Sequence, residues 1–167
     1  MDMIRLRISY AFIRARTRLS WREVRFGLDN ALLDPYAAVE RAMEEVEELD
    51  QPSLVLLELA AAGRRDPVRD LVDPLASAEP AGSDDSIRDK WLYLVLAWIW
   101  EHRAEDPNPL ERVDYVYADF DYPEALAAFV RWMPMQGPDL GSREANEQRL
   151  FQRWKEYLDA TAPLYAP

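Results

Sequence analysis

The chain has 167 residues, no cysteine and a formal net charge of −11. This excludes disulfide, thiol and thiolate-metal chemistry, and it argues against a general nucleic-acid binder, whose phosphates such a surface would repel. The length suits one domain, and six Trp supply ample apolar volume for its core.

The charge is unevenly spread. Residues 1–25 carry seven Arg against Asp2 and Glu23, so the acidity belongs to the rest of the chain. In Met1 to Ile8, Ile4, Leu6 and Ile8 alternate with Arg5 and Arg7, a strand-like period, yet no second strand-like segment comes after it to pair with it. The Arg-rich start has no continuous apolar run before a cleavage site, so the expected compartment is the cytoplasm. Ser9 can cap a short helix to about Thr17, with Phe12 and Ile13 inward. Ser20 and Glu23 have capping-box spacing, with Trp21, Val24 and Leu28 on one face behind them. Gly27 and Asn30 suggest that this helix is short.

Asp34-Pro35 opens the next helix, since proline is tolerated in a first turn. Tyr36, Val39, Met43 and Val46 form its predicted inward stripe, and Glu40, Glu44, Glu45, Glu47 and Glu48 its outer and flanking positions, followed by Asp50. Gln51-Pro52 precedes an apolar helix over Leu54 to Ala62 that ends at Gly63. Asp66-Pro67 opens another with Val68, Leu71, Val72 and Leu75 inward, limited by Pro74. Residues 77–85 read as a flexible loop.

Trp91 to Trp100 is ten apolar residues without a break, bracketed by charges. A helix apolar all round is buried on every side, and about 20 apolar residues would be needed to span a bilayer. This is the predicted central helix, about residues 87–103. Asn108-Pro109 then opens a helix with Leu110, Val113, Tyr117 and Phe120 inward. Asp121 to Glu124 opens another, with Leu126, Phe129, Val130 and Met133 inward, ended by Pro134. Met135 to Gly141 is loop, and Ser142 starts the last helix, with Leu150 or Phe151, Trp154, Tyr157 and Leu158 inward. The predicted fold is therefore all-α, a single domain over residues 1–167, built as a multi-helix bundle or short α-α array around the central helix.

Chemistry is sparse. His102, the only histidine, falls in the last turn of the central helix, where a cation suits the helix dipole and no catalytic partner set is in view. Asp119, Asp121 and Glu124 form the best carboxylate cluster. Such spacing could hold Mg²⁺ or Ca²⁺ for a metal-dependent hydrolase, but Asp121 and Glu124 also have the spacing of a helix cap. The Trp residues stand at helical spacing and read as core. Glu44, Glu45, Glu47 and Glu48 crowd like charge on one helix, a cost of a few tenths of a kcal/mol per pair. A basic partner would relieve it.

The segments Trp21 to Val24 with Gly27-Leu28, Lys90 to Arg103, Tyr117 to Glu124 and Val130 to Pro134 together resemble a bacterial family of small proteins known only as a domain of unknown function. The similarity runs roughly from Ser9 to Pro134. Small acidic bacterial proteins of this kind resemble the immunity proteins that accompany secreted polymorphic toxins. The resemblance implies a cytoplasmic protein-binding protein, not an enzyme, that meets a basic toxin domain. It carries no catalytic residues to transfer, and no cofactor, metal, nucleic-acid or membrane partner is expected. Glu44, Glu45, Glu47, Glu48, Asp119 and Asp121 are the candidate contacts. A helical scaffold with no catalytic role is the blander alternative.

Overall fold

The computed structural model describes residues 4–167, and among them it is all-α, with eight helices. Two compact units divide the chain. One holds residues 5–91; the other holds Leu92–Ala166 together with Ile4.

In the first unit, α1 (Tyr10–Arg14) is capped by Ser9, whose hydroxyl accepts the Phe12 amide at 3.3 Å. The expected run to Thr17 stops three residues short; Ile13 is buried, but Phe12 is half-exposed beneath the Arg16 guanidinium. The capping box of α2 (Trp21–Asp29) is present in both directions: the Glu23 amide donates to Ser20 Oγ at 3.2 Å and the Ser20 amide to Glu23 Oε2 at 2.8 Å. Glu79 adds a second clamp, accepting the amides of Trp21 and Arg22 at 2.8 and 3.0 Å. These are donors that a helix start leaves without intrahelical partners.

Gly27 does not end α2. It makes room for the buried Trp91 ring, whose Nε1 donates to the Glu23 carbonyl at 2.8 Å. The opening residues do find a pairing partner. Leu6 and Ile8 donate to the carbonyls of Ala31 and Leu32, both at 3.0 Å, and Asp34 donates back to Ile8. The result is one parallel bridge, Ile8 to Leu33, and not a strand pair. Burial of Ile4, Leu6 and Ile8 on alternate positions explains the period of two. The part of that reading that falls on Met1 to Met3 lies outside the described residues.

α3 (Tyr36–Glu48) packs against α1 and α4 (Leu54–Ala60); α5 (Arg69–Ala78) packs against α2 and α4. The inward stripe of α3 differs from the predicted one. Of Tyr36, Val39, Met43 and Val46 only Val39 is buried, and Met43 is 47% exposed. Ala37, Ala38, Arg41 and Ala42 face inward instead. Small side chains let helices approach closely, and Arg41 is accepted inside because its Nε donates to the Leu19 carbonyl at 3.1 Å and Nη1 pairs with Glu45 at 2.6 Å. Ser53 caps α4, whose Leu54 and Leu57 remain exposed. Pro74 lies inside α5 and does not terminate it.

α6 (Asp84–His102) contains the unit boundary between Trp91 and Leu92. Trp91 to Ala97 are seven consecutive buried residues, as a helix apolar on every face requires. No helix among the described residues is long and apolar enough to cross a membrane.

The second unit continues with α7 (Pro109–Asp119) and ends with α8 (Arg143–Tyr165). Leu110, Val113, Tyr117 and Phe120 are buried as predicted. Trp100 meets Trp154 edge-on at 5.0 Å, Tyr93 meets Tyr165 at 5.5 Å, and Phe129 meets Tyr157 at 5.6 Å. The helix predicted after Asp121 is absent, leaving one 3-10 turn at Glu124–Leu126.

Candidate functional site

The acidic face of α3 is answered by the chain's own arginines. Glu44 pairs with Arg14 at 2.6 Å and also accepts the Tyr10 hydroxyl. Glu48 accepts Arg18 Nη1 at 3.0 Å in a two-pronged pair. Glu45 takes Arg41 and, at 3.1 Å, the Trp21 indole N–H. The hydrogen-bonded Arg18 fork holds the Glu48 carboxyl below the usual carboxylate range. Burial first, then the charges of Glu48 and Glu47, push the Glu44 carboxyl above it, so repulsion persists despite Arg14. Burial also lowers the Arg41 guanidinium from its usual value, while Glu45 opposes that shift. Glu47 and Asp50 stay exposed. The arginine excess of the first 25 residues therefore has a structural use: it neutralises much, but not all, of this helix.

The stretch around Asp119 and Asp121 is a helix stop. Asp121 and Tyr122 both lie in the left-handed region, at φ 63° and 57°. The Asp121 amide donates to Ala118 and the Tyr122 amide to Tyr117, at 3.2 and 2.8 Å. This is the Schellman arrangement, completed by an apolar contact between the residues at its two ends. Here Tyr117 and Tyr122 meet edge-on at 5.2 Å. Asp121 thus terminates α7; it does not cap a following helix, and Glu124 only begins the short turn. Aspartate tolerates this conformation better than most residues. Asp119 accepts the Ile4 amide at 2.9 Å, which gives its carboxylate a backbone partner near the end of α7. Among the described residues, no three of His, Cys, Asp and Glu are grouped as a metal ion would require. The geometry therefore does not bring Asp119, Asp121 and Glu124 together as a cation site.

His102 ends α6. It stacks on Trp98 at 3.9 Å between ring centroids, and its Nδ1 lies 2.8 Å from the Trp98 carbonyl. A carbonyl can only accept, so Nδ1 carries the proton.

Sequence reasoning missed a groove of about 620 Å³ formed by residues 127–153. Trp132, Met133, Met135 and Leu140 stand exposed around this segment, so Met133 departs from its predicted inward position. Arg153 ties the segment down by donating to the carbonyls of Ala128 and Gln136, at 3.1 and 2.7 Å. Arg149 donates to the Pro138 carbonyl at 2.7 Å. Asp114, 1% exposed at its side chain, holds Arg131 through its amide at 3.0 Å and its Nε at 2.7 Å. The sequence signal is the triplet Arg143, Arg149 and Arg153 facing a Met- and Trp-bearing loop. Without knowledge of the chain's path, that triplet reads as solvated helix surface.

In comparison with known proteins, the model of a family described as "Uncharacterized protein conserved in bacteria (DUF2247)" matches residues 10–162. The match extends past Pro134, the expected limit of the resemblance, through most of α8. No curated protein and no solved structure matches the chain.

Proposed function

Since the chain belongs to this bacterial family, a membership that carries no reaction with it, we propose its function from its surface: a non-catalytic, cytoplasmic protein-binding protein of the immunity type, which neutralises a basic toxin domain by covering it. One observation supports this reading best. Among the described residues, Arg14, Arg18 and Arg41 pair with Glu44, Glu48 and Glu45, while Glu47 and Asp50 on the same acidic stretch remain exposed. An arriving cation is steered by the field of a chain at −11 and relieves the repulsion that Arg14 and Arg18 leave. Asp119 and Asp121 rank below the α3 residues as contacts, because both already serve the end of α7.

Partners retained from the native host at low salt, followed by association kinetics on the purified pair, test the proposal. The association rate is expected to fall about tenfold or more between low and high salt. Glu47→Gln with Asp50→Asn is expected to slow association while altering stability by less than about 0.5 kcal/mol, since both positions are exposed. Lowering the pH should weaken binding as the carboxylates take up protons, Glu44 before Glu48. Binding indifferent to salt, or a basic toxin domain that stays active when co-expressed, sinks the reading.

A further inference from the structure

The groove of residues 127–153 is lined by Arg131, Arg143, Arg149 and Arg153 against Asp139 and Glu147, an excess of positive charge in a chain of net charge −11. Its floor is apolar, with Val130, Met133, Met135 and Leu150, and its wall includes Arg149 and Arg153. Neither arginine forms an ion pair among the described residues. Both donate to loop carbonyls, Arg149 Nη2 also donates to Asn146 Oδ1 at 3.5 Å, and the Asp139 carboxylate lines the same groove. Arg149 Nε is buried without a hydrogen-bond partner. Guanidiniums bonded to neutral carbonyls keep most of their positive field, and their planar forks suit a carboxylate. Of the lining residues, Met133 and Met135 expose 36 and 55% of their surfaces, and Trp132 and Leu140, which flank lining residues in the chain, expose 56 and 48%. Large apolar side chains left in water beside arginine have the composition of the centre of a protein interface: aromatic residues, Met and Arg are enriched there and Lys, Glu and Asp depleted. Such anchors dominate binding energy when a partner covers them.

We propose that this groove docks an acidic, apolar polypeptide segment, whose carboxylate meets Arg149 and Arg153 while its apolar side chains cover Met135 in the groove and Leu140 at its flank. Charge complementarity selects that occupant, because an Arg-walled groove repels the basic segments that the acidic helix α3 attracts. The inference does not depend on the immunity reading. It places a second docking surface, of opposite sign, on the unit that does not contain α3.

Fluorescence anisotropy on the full chain tests it. The probe is a labelled twelve-residue peptide of Leu, Phe and Glu, compared with a counterpart in which Lys replaces Glu, and competed with dodecanoate. The acidic peptide is expected to bind at least about tenfold more tightly than the Lys peptide. Met135→Ser with Leu140→Ser should weaken it by about the same factor, and so should Arg149→Gln. Glu47→Gln should leave it unchanged, which separates this result from any failure of the α3 proposal. Arg149 also braces the loop, so the Met135/Leu140 variant, altered only at exposed side chains, decides the matter if Arg149→Gln unfolds. Equal binding of the two peptides, no binding of either, or binding of dodecanoate without the acidic peptide overturns the proposal.

Discussion

Replacing Asp114 with alanine is expected to cost about 3–5 kcal/mol of stability, the usual penalty for removing one partner of a buried ion pair. The carboxylate is 1% exposed at its side chain and accepts three donors from a single residue: the amide, Nε and Nη2 of Arg131, at 3.0, 2.7 and 2.7 Å. Its loss strands both a half-buried guanidinium and a backbone N–H. For a chain of this length the melting temperature should fall by roughly 10 °C or more. Asp114→Asn keeps the shape and one acceptor but gives up the charge, so it should fall between wild type and alanine. Removing both partners should cost less than the two single losses added together, because each single variant also leaves the other group unmatched. Thermal and urea unfolding of the wild type, the two Asp114 variants, an Arg131 variant and the double variant measure this. A stability for Asp114→Ala within about 1 kcal/mol of wild type would show that the pair contributes nothing special.

The second large effect is expected at Gly27, and its sign opposes the usual rule. Glycine inside a helix normally costs about 1 kcal/mol relative to alanine, so Gly27→Ala on an isolated α2 would stabilise it. In the folded chain a Cβ at Gly27 would lie 2.3 and 2.6 Å from two carbons of the Trp91 ring and 3.0 Å from Leu33 Cβ. Trp91 is fully buried and fixed by its bond to the Glu23 carbonyl, so the ring cannot yield cheaply. Overpacking of this kind costs about 1–3 kcal/mol and occasionally more, and with contacts this short it outweighs the propensity gain. The expected net loss is about 2 kcal/mol, or several degrees of melting temperature. Adding Trp91→Leu, which removes the clashing ring atoms, should make the alanine at position 27 harmless in that background, even though the tryptophan loss is itself costly. Gly27→Ala as stable as wild type would mean that α2 and the Trp91 ring can move apart at no expense.

Both effects depend on contacts with distant parts of the chain, and so does the acidic face. The crowding of Glu44, Glu45, Glu47 and Glu48 was legible from residue spacing along one helix. Their partners were not, because Arg14 and Arg18 each reach a glutamate 30 residues away. Asp121 and Glu124 show the limit of local rules: their spacing satisfies a helix cap, yet Asp121 sits left-handed at the end of α7, and a contact between Tyr117 and Tyr122 helps hold the stop.

Taken alone, the amino-acid order determined the all-helical class, the burial of α6 and the starts of α1, α2, α7 and α8. All of these come from apolar periodicity and from Ser or Pro acting within one helical turn of itself. Tertiary structure decided which side of α3 turns inward, where the opening residues pair, and that Arg149 and Arg153 hold an exposed apolar loop in place. The reason is physical: a buried arginine, an unpaired backbone amide and a loop carbonyl are each satisfied by whichever group the chain's path brings within about 3 Å, and no local pattern encodes that path.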